Sequence, residues 1–270
     1  MAKGLGTVGF LGFGNMGSAI ASGLIARGVL KPEAVMAHDP DAGRAAQAAG
    51  LGVRVATTAA ELAAAADTLV LAVKPQMWRE AAAPLADALK PGARVVSIMA
   101  GVSITAMRAV LGEQIRVIRV MPNTPAMVGA GAAGIAPGPG CDADDAEAAR
   151  MMFEAVGVAE IVAESDLDAV TALSGSGPAY FFYLVECLVN AAVAEGLSPA
   201  VAERLAVQTA LGAGRLLAES GEPAATLREK VTSKGGTTFA ALEAFRGRDF
   251  AGTIAQGVSA AAARSRELGR

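Results

Sequence analysis

The sequence has little histidine, cysteine or aromatic side chain, and these shortages exclude several kinds of site. Its 270 residues include one histidine and two cysteines. Cys141 and Cys187 match neither a disulfide framework nor a zinc pattern. No group of His, Cys and carboxylate residues has the spacing of metal ligands either. We therefore expect no metal centre.

The sequence also lacks an excess of either charge. Lysine and arginine number 23 against 26 aspartates and glutamates, a formal net charge of -3, so nucleic acid is not an expected partner. The opening MAKGLGTVGF lacks the apolar core and cleavage site of a secretory signal. The most apolar helical run, PAYFFYLVECLVNAAVAEG, contains Glu186 and Asn190 and is short for a membrane span. We expect a cytoplasmic protein without a membrane partner.

Short β-rich runs alternate with helical ones up to about residue 162. The predicted strands are short, apolar and bounded by Gly, Pro or Asn: TVGFLG, AVMAH, TLVLAVK, RVVSIMAG, IRVIRVMPN and VAEIVA. Parallel strands need crossover connections, and Ala-rich helical segments lie between these runs. The pattern predicts a doubly wound, mainly parallel sheet over residues 1–162. Residues 129–140 are predicted as an edge strand that runs into a loop.

The strand signals stop beyond residue 162, and residues 163–270 are predicted to form an all-α domain. A helix with clear start and stop signals covers residues 198–221. The helix over residues 180–193 is apolar almost all round, which is typical of a buried helix. Burial between two subunits is as consistent with this pattern as burial within one, so we expect the domain to dimerise.

The stretch VGFLGFGNMGSAIASGL has the glycine spacing of a dinucleotide-binding loop. Gly12, Gly14 and Gly17 follow a predicted strand and open a helix. Glycines at these positions permit a tight turn, close approach to a pyrophosphate, and close packing of helix on strand. The helix N-terminus also favours a diphosphate. We predict that these glycines bind a dinucleotide together with Asn15 and Met16.

The second strand ends in AHDP, which bears on the choice of cofactor. Asp39 lies where an acidic residue often binds the adenosine ribose, and a carboxylate there favours NAD over NADP. The alternative is a turn residue before Pro40. Arg44 follows closely and could instead pair with a 2′-phosphate. The preference between NADH and NADPH stays open.

Two further strand ends, AVKPQ and VMPNTPA, are each broken by a proline. Ligands of doubly wound sheets bind beyond the carboxyl ends of the strands. Val73, Lys74, Pro75 and Asn123 are therefore candidates to hold the ribose and nicotinamide. The prolines would equally serve as strand terminators, and a solvated or salt-linked Lys74 is favoured over a catalytic one.

The sequence offers no obvious general base. The one histidine, His38, lies beside the predicted adenosine site, so a histidine acid–base relay is not expected. The run SGSGPAY only imitates a nucleophile elbow, because it precedes a helix in the all-helical half. A dinucleotide enzyme without a base suits a hydride acceptor such as a C=N bond, which can already carry positive charge.

Three stretches together resemble pyrroline-5-carboxylate reductase: VGFLGFGNMGSAI, RVMPNTPA, and LSGSGPAYFF with LREKVTSKGGTTFAALE. The first is shared with many β-hydroxyacid dehydrogenases and the last is specific to the reductases. The resemblance covers essentially the whole chain. It implies a Rossmann-type domain, an interlocking helical domain, and a homodimer that can assemble into a decamer. The implied reaction is hydride transfer from NADPH or NADH to the imine carbon of 1-pyrroline-5-carboxylate, which gives L-proline.

The resemblance also implies roles for the loop SKGGTT. In the family this loop holds the substrate carboxylate, here with Ser233, Gly235, Gly236 and Thr237. These residues lie where a predicted helix begins, and helix N-termini bind anions. Thr238 is implied beside the imine nitrogen, where its hydroxyl donates a hydrogen bond or relays a proton. Water could also supply that proton, because a threonine hydroxyl is a poor acid.

For three other residues the resemblance leaves two roles open. Ser174 and Ser176 would line the substrate pocket or cap a helix. Asn123 would orient the nicotinamide carboxamide or the substrate. The family commonly has proline where this sequence has Lys234. The loss of a fixed φ is expected to loosen the loop, and the lysine either adds charge near the carboxylate or points to solvent.

Three other functions compete with this one. A β-hydroxyacid dehydrogenase of the 3-hydroxyisobutyrate type has a catalytic lysine four residues before an asparagine, but Glu186 precedes Asn190 here. A reductase of another cyclic imine would use the same pocket. A sensor that binds NAD(P) without turnover would not need the hydroxyls and glycines of the SKGGTT loop.

Overall fold

The computed structural model describes residues 4–269, which form two compact units. The first unit contains residues 4–176 and 261–269, and the second contains residues 177–260. The expected domain boundary after residue 162 remains a prediction. In the structure, residues 163–176 belong to the first unit, since Leu167 is fully buried and lies with Val170 against Gly134 of the sheet.

The first unit is built on one eight-stranded sheet. Its strands are β1 (Val8–Leu11), β2 (Val35–His38), β3 (Arg54–Val55), β4 (Thr68–Leu71), β5 (Arg94–Ser97), β6 (Arg116–Met121), β7 (Gly131–Pro137) and β8 (Gly157–Ile161). Their order is β3-β2-β1-β4-β5-β6-β7-β8. The first six strands are parallel, β7 is antiparallel to β6, and β8 is parallel to β7. This is the predicted doubly wound, Rossmann-type sheet.

Helices cover both faces of the sheet. They are α1 (Asn15–Ala26), α2 (Ala42–Gly50), α3 (Ala59–Ala65), α4 (Trp78–Ala82), α5 (Ile104–Leu111), α6 (Ala143–Glu154) and α7 (Leu167–Val170). Alternate residues of one strand belong to separate cores, as in β4, where Val70 packs in one cluster and Leu69 and Leu71 in the other. A parallel strand covered on both faces is apolar throughout, which is why these runs were recognisable.

Two details of the sheet differ from expectation. The strand within residues 129–140 is not at the edge, because β8 pairs along its outer side with Gly131 opposite Gly157. The two-residue strand β3 has no counterpart among the predicted strands. It is too short to show an apolar period, and both of its residues are exposed.

The second unit is entirely helical. It contains α8 (Gly177–Ala194), α9 (Pro199–Ser220), α10 (Ala224–Lys230), α11 (Thr237–Gly247) and the larger part of α12 (Phe250–Leu268). Helix α9 begins and ends where predicted, with extended Ser198 before it and left-handed Gly221 after it. Within one chain α8 is not buried: Phe181, Phe182 and Tyr183 are each about two-thirds exposed.

Within residues 4–269, the helical stretch Glu164–Ala194 is long and apolar enough to cross a membrane. An 18-residue segment of it has a mean hydropathy of 1.3, and 6% of that segment is buried. Core helices of soluble proteins can have the same length and composition, so one such helix does not indicate a membrane protein.

Candidate functional site

A cavity of about 630 Å³ opens at the carboxyl ends of β1, β2 and β4, and we call it the nucleotide cavity. Its lining is Leu11, Gly12, Gly14, His38, Asp39, Pro40, Asp41, Arg44, Ala59, Ala72, Val73, Lys74, Met77, Glu80, Ala81 and Pro84. Predicted cofactor residues from three different loops therefore share one cavity. Within residues 4–269, no cluster of His, Cys, Asp or Glu side chains could hold a metal ion.

Two glycines of the loop are required by the protein's own packing. Gly12 has a φ of +91°, and a Cβ there would lie 2.7 Å from the carbonyl oxygen of Ala72. A Cβ on Gly17 would lie 2.7 Å from the carbonyl oxygen of Gly12. Any side chain at either position would push the turn away from its neighbour.

Gly14 differs from both, because nothing in the protein requires a glycine there. Its φ of -68° suits any residue, and a Cβ would have no neighbour within 4 Å. It lines the nucleotide cavity and is the N-cap of α1, which has no side-chain cap. The first N–H groups of this twelve-residue helix thus have no side-chain cap, and the space beside Gly14 is open. This arrangement fits a bound pyrophosphate.

Both oxygens of the Asp39 carboxylate accept hydrogen bonds from backbone N–H groups of the protein. Oδ2 accepts the backbone N–H of Phe13 at 2.7 Å, and Oδ1 accepts that of Asp41 at 3.0 Å. Asp39 therefore joins the end of β2 to the glycine loop and shapes the turn into α2. Its carboxylate also lines the cavity.

Several predicted cofactor residues do not line the nucleotide cavity. Asn15 lines a second cavity of about 440 Å³, and its Oδ1 accepts a 3.3 Å hydrogen bond from Arg44. Met16 packs against the hydrophobic core. Pro75 begins a short 3₁₀ turn directly after Val73 and Lys74, which do line the cavity.

Asn123 braces the backbone around the end of β6. Its Oδ1 accepts the N–H of Ala132 at 2.8 Å, and its Nδ2 donates to the carbonyl oxygen of Ser174 at 3.0 Å. The side chain is buried, so these bonds fix a π-helical turn over Thr171–Gly175 against the start of β7. The Ser174 hydroxyl donates back to Val170, and the Ser176 backbone N–H donates to Thr171.

The SKGGTT loop lies in the second unit, between α10 and α11. Gly235 has a φ of +74°, and Gly236 is the extended N-cap of α11, again without a side-chain cap. A Cβ on Gly236 would lie 2.5 Å from the Ser233 Oγ. Thr237 and Thr238 form the first turn of the eleven-residue helix. Hydroxyls and unbonded N–H groups are thus gathered at one helix N-terminus, which suits a small anion.

Sequence reasoning missed one wall of the nucleotide cavity. Ala59, Met77, Ala81 and Pro84 give an apolar surface beside the Gly14 loop, with Glu80 among them. An apolar surface of this kind suits a purine base. The residues come from α3, from α4 and from the short turns on either side of α4, and no motif marks them. The one available signal was the position of Met77 just after the strand end AVKPQ.

Comparison with known proteins decides the family. Residues 164–268 match the family model described as pyrroline-5-carboxylate reductase dimerisation. Residues 7–101 match the one described as NADP oxidoreductase, coenzyme F420-dependent. The pyrroline-5-carboxylate reductase of Pseudomonas aeruginosa is 42% identical over 263 residues, which are 97% of this chain and 96% of that protein. The chain belongs to the pyrroline-5-carboxylate reductase family.

Solved structures of pyrroline-5-carboxylate reductases agree with this family assignment. The structure of the reductase from Coxiella burnetii matches with a TM-score of 0.94 and 34% identity, over 98% of this chain and 99% of that one. The Plasmodium falciparum pyrroline carboxylate reductase, crystallised with NADP bound, has a TM-score of 0.86 and 29% identity over 98% of both chains. The prediction of the family and of its fold class is confirmed.

Proposed function

We propose that this chain reduces 1-pyrroline-5-carboxylate to L-proline, the last step of proline biosynthesis, with NADPH or NADH. The observation that carries the proposal is the SKGGTT loop. It places hydroxyls and free N–H groups at the N-terminus of α11, within the segment that matches the reductase dimerisation family. Family membership over the whole chain supports the same reaction.

The first unit would hold the cofactor, which supplies the hydride. Backbone N–H groups at Gly14, Asn15, Met16 and Gly17 would bind the pyrophosphate, since α1 begins there without a cap. Gly12 would keep the turn tight enough for that approach.

The remaining predicted cofactor residues would contact the cofactor or hold in place the loops beside it. Val73 and Lys74 would contact the ribose and nicotinamide from the end of β4, with Pro75 fixing the turn that follows. Asp39 would hold the glycine loop in shape beside the adenosine. Asn123 would keep the loop after β6 in place, because both of its polar atoms bond to backbone.

The second unit would bind the substrate. Ser233 and the N–H groups of Gly235 and Thr237 would bind the ring carboxylate. The predicted role of Gly236 would be close approach of the backbone, because its own N–H donates to the Ser233 carbonyl oxygen at 3.0 Å. Ser176, which belongs to the first unit, stays a predicted substrate contact. The Thr238 hydroxyl would donate a hydrogen bond to the neutral imine nitrogen and relay to it a proton drawn from water. Once the nitrogen is protonated, its N–H would donate to the Thr238 oxygen. No strong base is required, because a protonated imine is already electrophilic. Positioning of the ring supplies most of the acceleration.

The exposed apolar face of the second unit supports assembly with a second copy. The side chains of α8 and α12 line an apolar groove of about 500 Å³ that includes Tyr183, Leu188 and Phe250. Contiguous exposed apolar surface of this kind is typical of protein–protein interaction sites. We propose a homodimer, able to assemble further into a decamer, in the cytoplasm and without a membrane or nucleic-acid partner.

The experiment that tests the function compares acceptors. Purified protein is given NADPH or NADH with either 1-pyrroline-5-carboxylate or its six-membered ring homologue, and loss of nicotinamide absorbance is followed. The proposal predicts a clearly higher kcat/KM for the five-membered ring. Preference for the larger ring would favour a reductase of another cyclic imine. Tight dinucleotide binding without turnover of either ring would favour a sensor.

A further inference from the structure

The nucleotide cavity contains an arginine whose charge no acid balances. Arg44 lies in the first turn of α2 and lines the cavity near Asp39. Its guanidinium donates to the amide oxygens of Asn15 and Gln47, at 3.3 Å in both cases. Among residues 4–269 it forms no ion pair within 4.0 Å. Two long bonds to neutral oxygens leave a full positive charge in the wall of the cavity.

The acid beside it has a separate function. Asp39 accepts one backbone N–H on each oxygen, from Phe13 and from Asp41. The loop and the turn therefore explain why an aspartate ends β2, and its presence alone does not indicate a ribose contact. Asp41 in turn caps α2 by accepting the N–H of Arg44 at 3.0 Å. Neither acid neutralises the guanidinium.

We infer that Arg44 binds the 2′-phosphate of NADPH and that the chain prefers NADPH to NADH. This inference rests on the proposed function, since it assumes that the nucleotide cavity holds a nicotinamide dinucleotide. A guanidinium forms paired, charge-assisted hydrogen bonds to phosphate oxygens, which are stronger than its bonds to the amides of Asn15 and Gln47. The positive end of α2 adds to the attraction.

The two neighbouring carboxylates make Arg44 necessary for this preference. Without the guanidinium, a 2′-phosphate beside Asp39 and Asp41 would meet mainly like charge, and the cavity would favour a free 2′-hydroxyl. The same reasoning predicts that removing one acid strengthens phosphate binding. Asp41→Ser is the suitable change, because serine is an equally good helix N-cap and carries no charge.

The test uses two small probes that differ only in the 2′-phosphate. Calorimetry measures the affinity of the protein for adenosine 2′,5′-bisphosphate and for adenosine 5′-monophosphate, with no substrate and no turnover. The wild-type protein should bind the bisphosphate at least about tenfold more tightly. Arg44→Ala should remove that ratio by weakening the bisphosphate alone, and Asp41→Ser should increase it.

Arg27→Ala is the matched control. Arg27 is an exposed arginine at the end of α1 that lines the second cavity and not the nucleotide cavity. Its removal takes away the same net charge and should leave the ratio unchanged. Equal affinities in the wild type, no bisphosphate binding, or an unchanged ratio in Arg44→Ala would each overturn the inference.

The outcomes separate this inference from the proposed function. Turnover of 1-pyrroline-5-carboxylate without discrimination between the probes would contradict the role of Arg44 and leave the reductase proposal standing. Discrimination that depends on Arg44, without any turnover, would support the 2′-phosphate site and contradict the reductase proposal. The ratio of kcat/KM for NADPH and NADH gives a second readout and should fall in Arg44→Ala.

Discussion

At the scale of single residues, Gly14 and Gly17 separate cofactor binding from packing. Gly14→Ala should lower dinucleotide affinity without changing the melting temperature, because the new methyl group meets no protein atom and occupies the ligand space. Gly17→Ala should lower the free energy of unfolding by about 1–3 kcal/mol, since its Cβ would lie 2.7 Å from the Gly12 carbonyl oxygen. Thermal melts and dinucleotide titrations distinguish the two. Normal dinucleotide affinity in Gly14→Ala would mean that the pyrophosphate binds elsewhere.

Thr238 is the residue on which the proposed chemistry depends most. Thr238→Ala removes a hydroxyl from the first turn of α11 and should lower kcat roughly tenfold to a hundredfold, by the loss of one hydrogen bond to a charged group. Thr238→Ser keeps the hydroxyl and should retain most of the rate. Steady-state kinetics of both variants, with dinucleotide affinity as the control, test this role. An unchanged kcat in Thr238→Ala would remove the residue from the mechanism.

At the scale of elements, a buried carboxylate holds the start of α6 to the sheet. Asp145 is fully buried, accepts a 2.6 Å bond from Arg116, and lies 3.5 Å from the Nε of Arg94. It also completes a capping box with Asp142. Asp145→Asn should therefore lower the free energy of unfolding by about 3–5 kcal/mol, because the buried Arg94 and the partly buried Arg116 lose their charged partner.

The control for this prediction is Asp144→Asn, one residue earlier on the same helix. Asp144 is less buried and takes no part in the capping box. Its replacement should change stability by less than about 0.5 kcal/mol in urea unfolding. Similar losses of stability in both variants would mean that the carboxylates act through the helix dipole and not through the ion cluster of Asp145, Arg94 and Arg116.

Asp67 gives the fold a pH dependence of known sign. The backbone N–H of Thr7, which donates to its carboxylate at 2.8 Å, lowers the pKa of Asp67, and Lys90 acts in the same direction against desolvation. The unfolded chain then binds the proton more readily. Stability from Asp67 is complete above the unfolded pKa of about 4 and is lost as the pH falls through the lower folded pKa.

Asp67→Asn tests that sign, because asparagine keeps the acceptor and cannot titrate. Between neutral pH and about pH 3, the free energy of unfolding should fall further for the wild type than for the variant. Urea unfolding across this range gives the difference. Parallel curves would show that Asp67 contributes no pH dependence.

The elements could be predicted from the sequence wherever burial is uniform. Every residue of strands β1, β4 and β5 is buried, so their short, mainly apolar runs were sufficient. The exposed strand β3 was missed, and the strand within residues 129–140 was wrongly placed at the edge. Strand order depends on pairing between distant segments, such as Gly131 with Gly157, and no local pattern encodes it.

The candidate site could be predicted in part, for a similar reason. Glycine spacing and a loop at a helix start are local features, so the two anion-binding loops were found. The apolar wall with Met77 and Pro84 and the bond between Arg44 and Asn15 arise only when separate elements meet. The bracing bonds of Asn123 join segments up to 51 residues apart, and the sequence alone favoured a ligand contact there.

At the scale of the whole molecule, the exposed apolar face of α8 predicts association. Phe182→Glu places a charge on a side chain that is 67% exposed in the single chain, so the fold should tolerate it. Sedimentation at micromolar concentration should show the wild type as a dimer or larger species and the variant shifted towards monomer. Val128→Glu, at an 82% exposed apolar residue of the first unit, should leave the state unchanged. A monomeric wild type would contradict the assembly.

The most direct test of the account is the reaction itself, with product and cofactor measured together. Purified protein is incubated with NADPH and 1-pyrroline-5-carboxylate, the loss of reduced nicotinamide is followed by absorbance, and proline is quantified by chiral chromatography. The account predicts one L-proline formed for each NADPH oxidised, and an initial rate of L-proline formation roughly tenfold to a hundredfold lower with Thr238→Ala. NADPH bound but not oxidised, or oxidised without formation of L-proline, would contradict it.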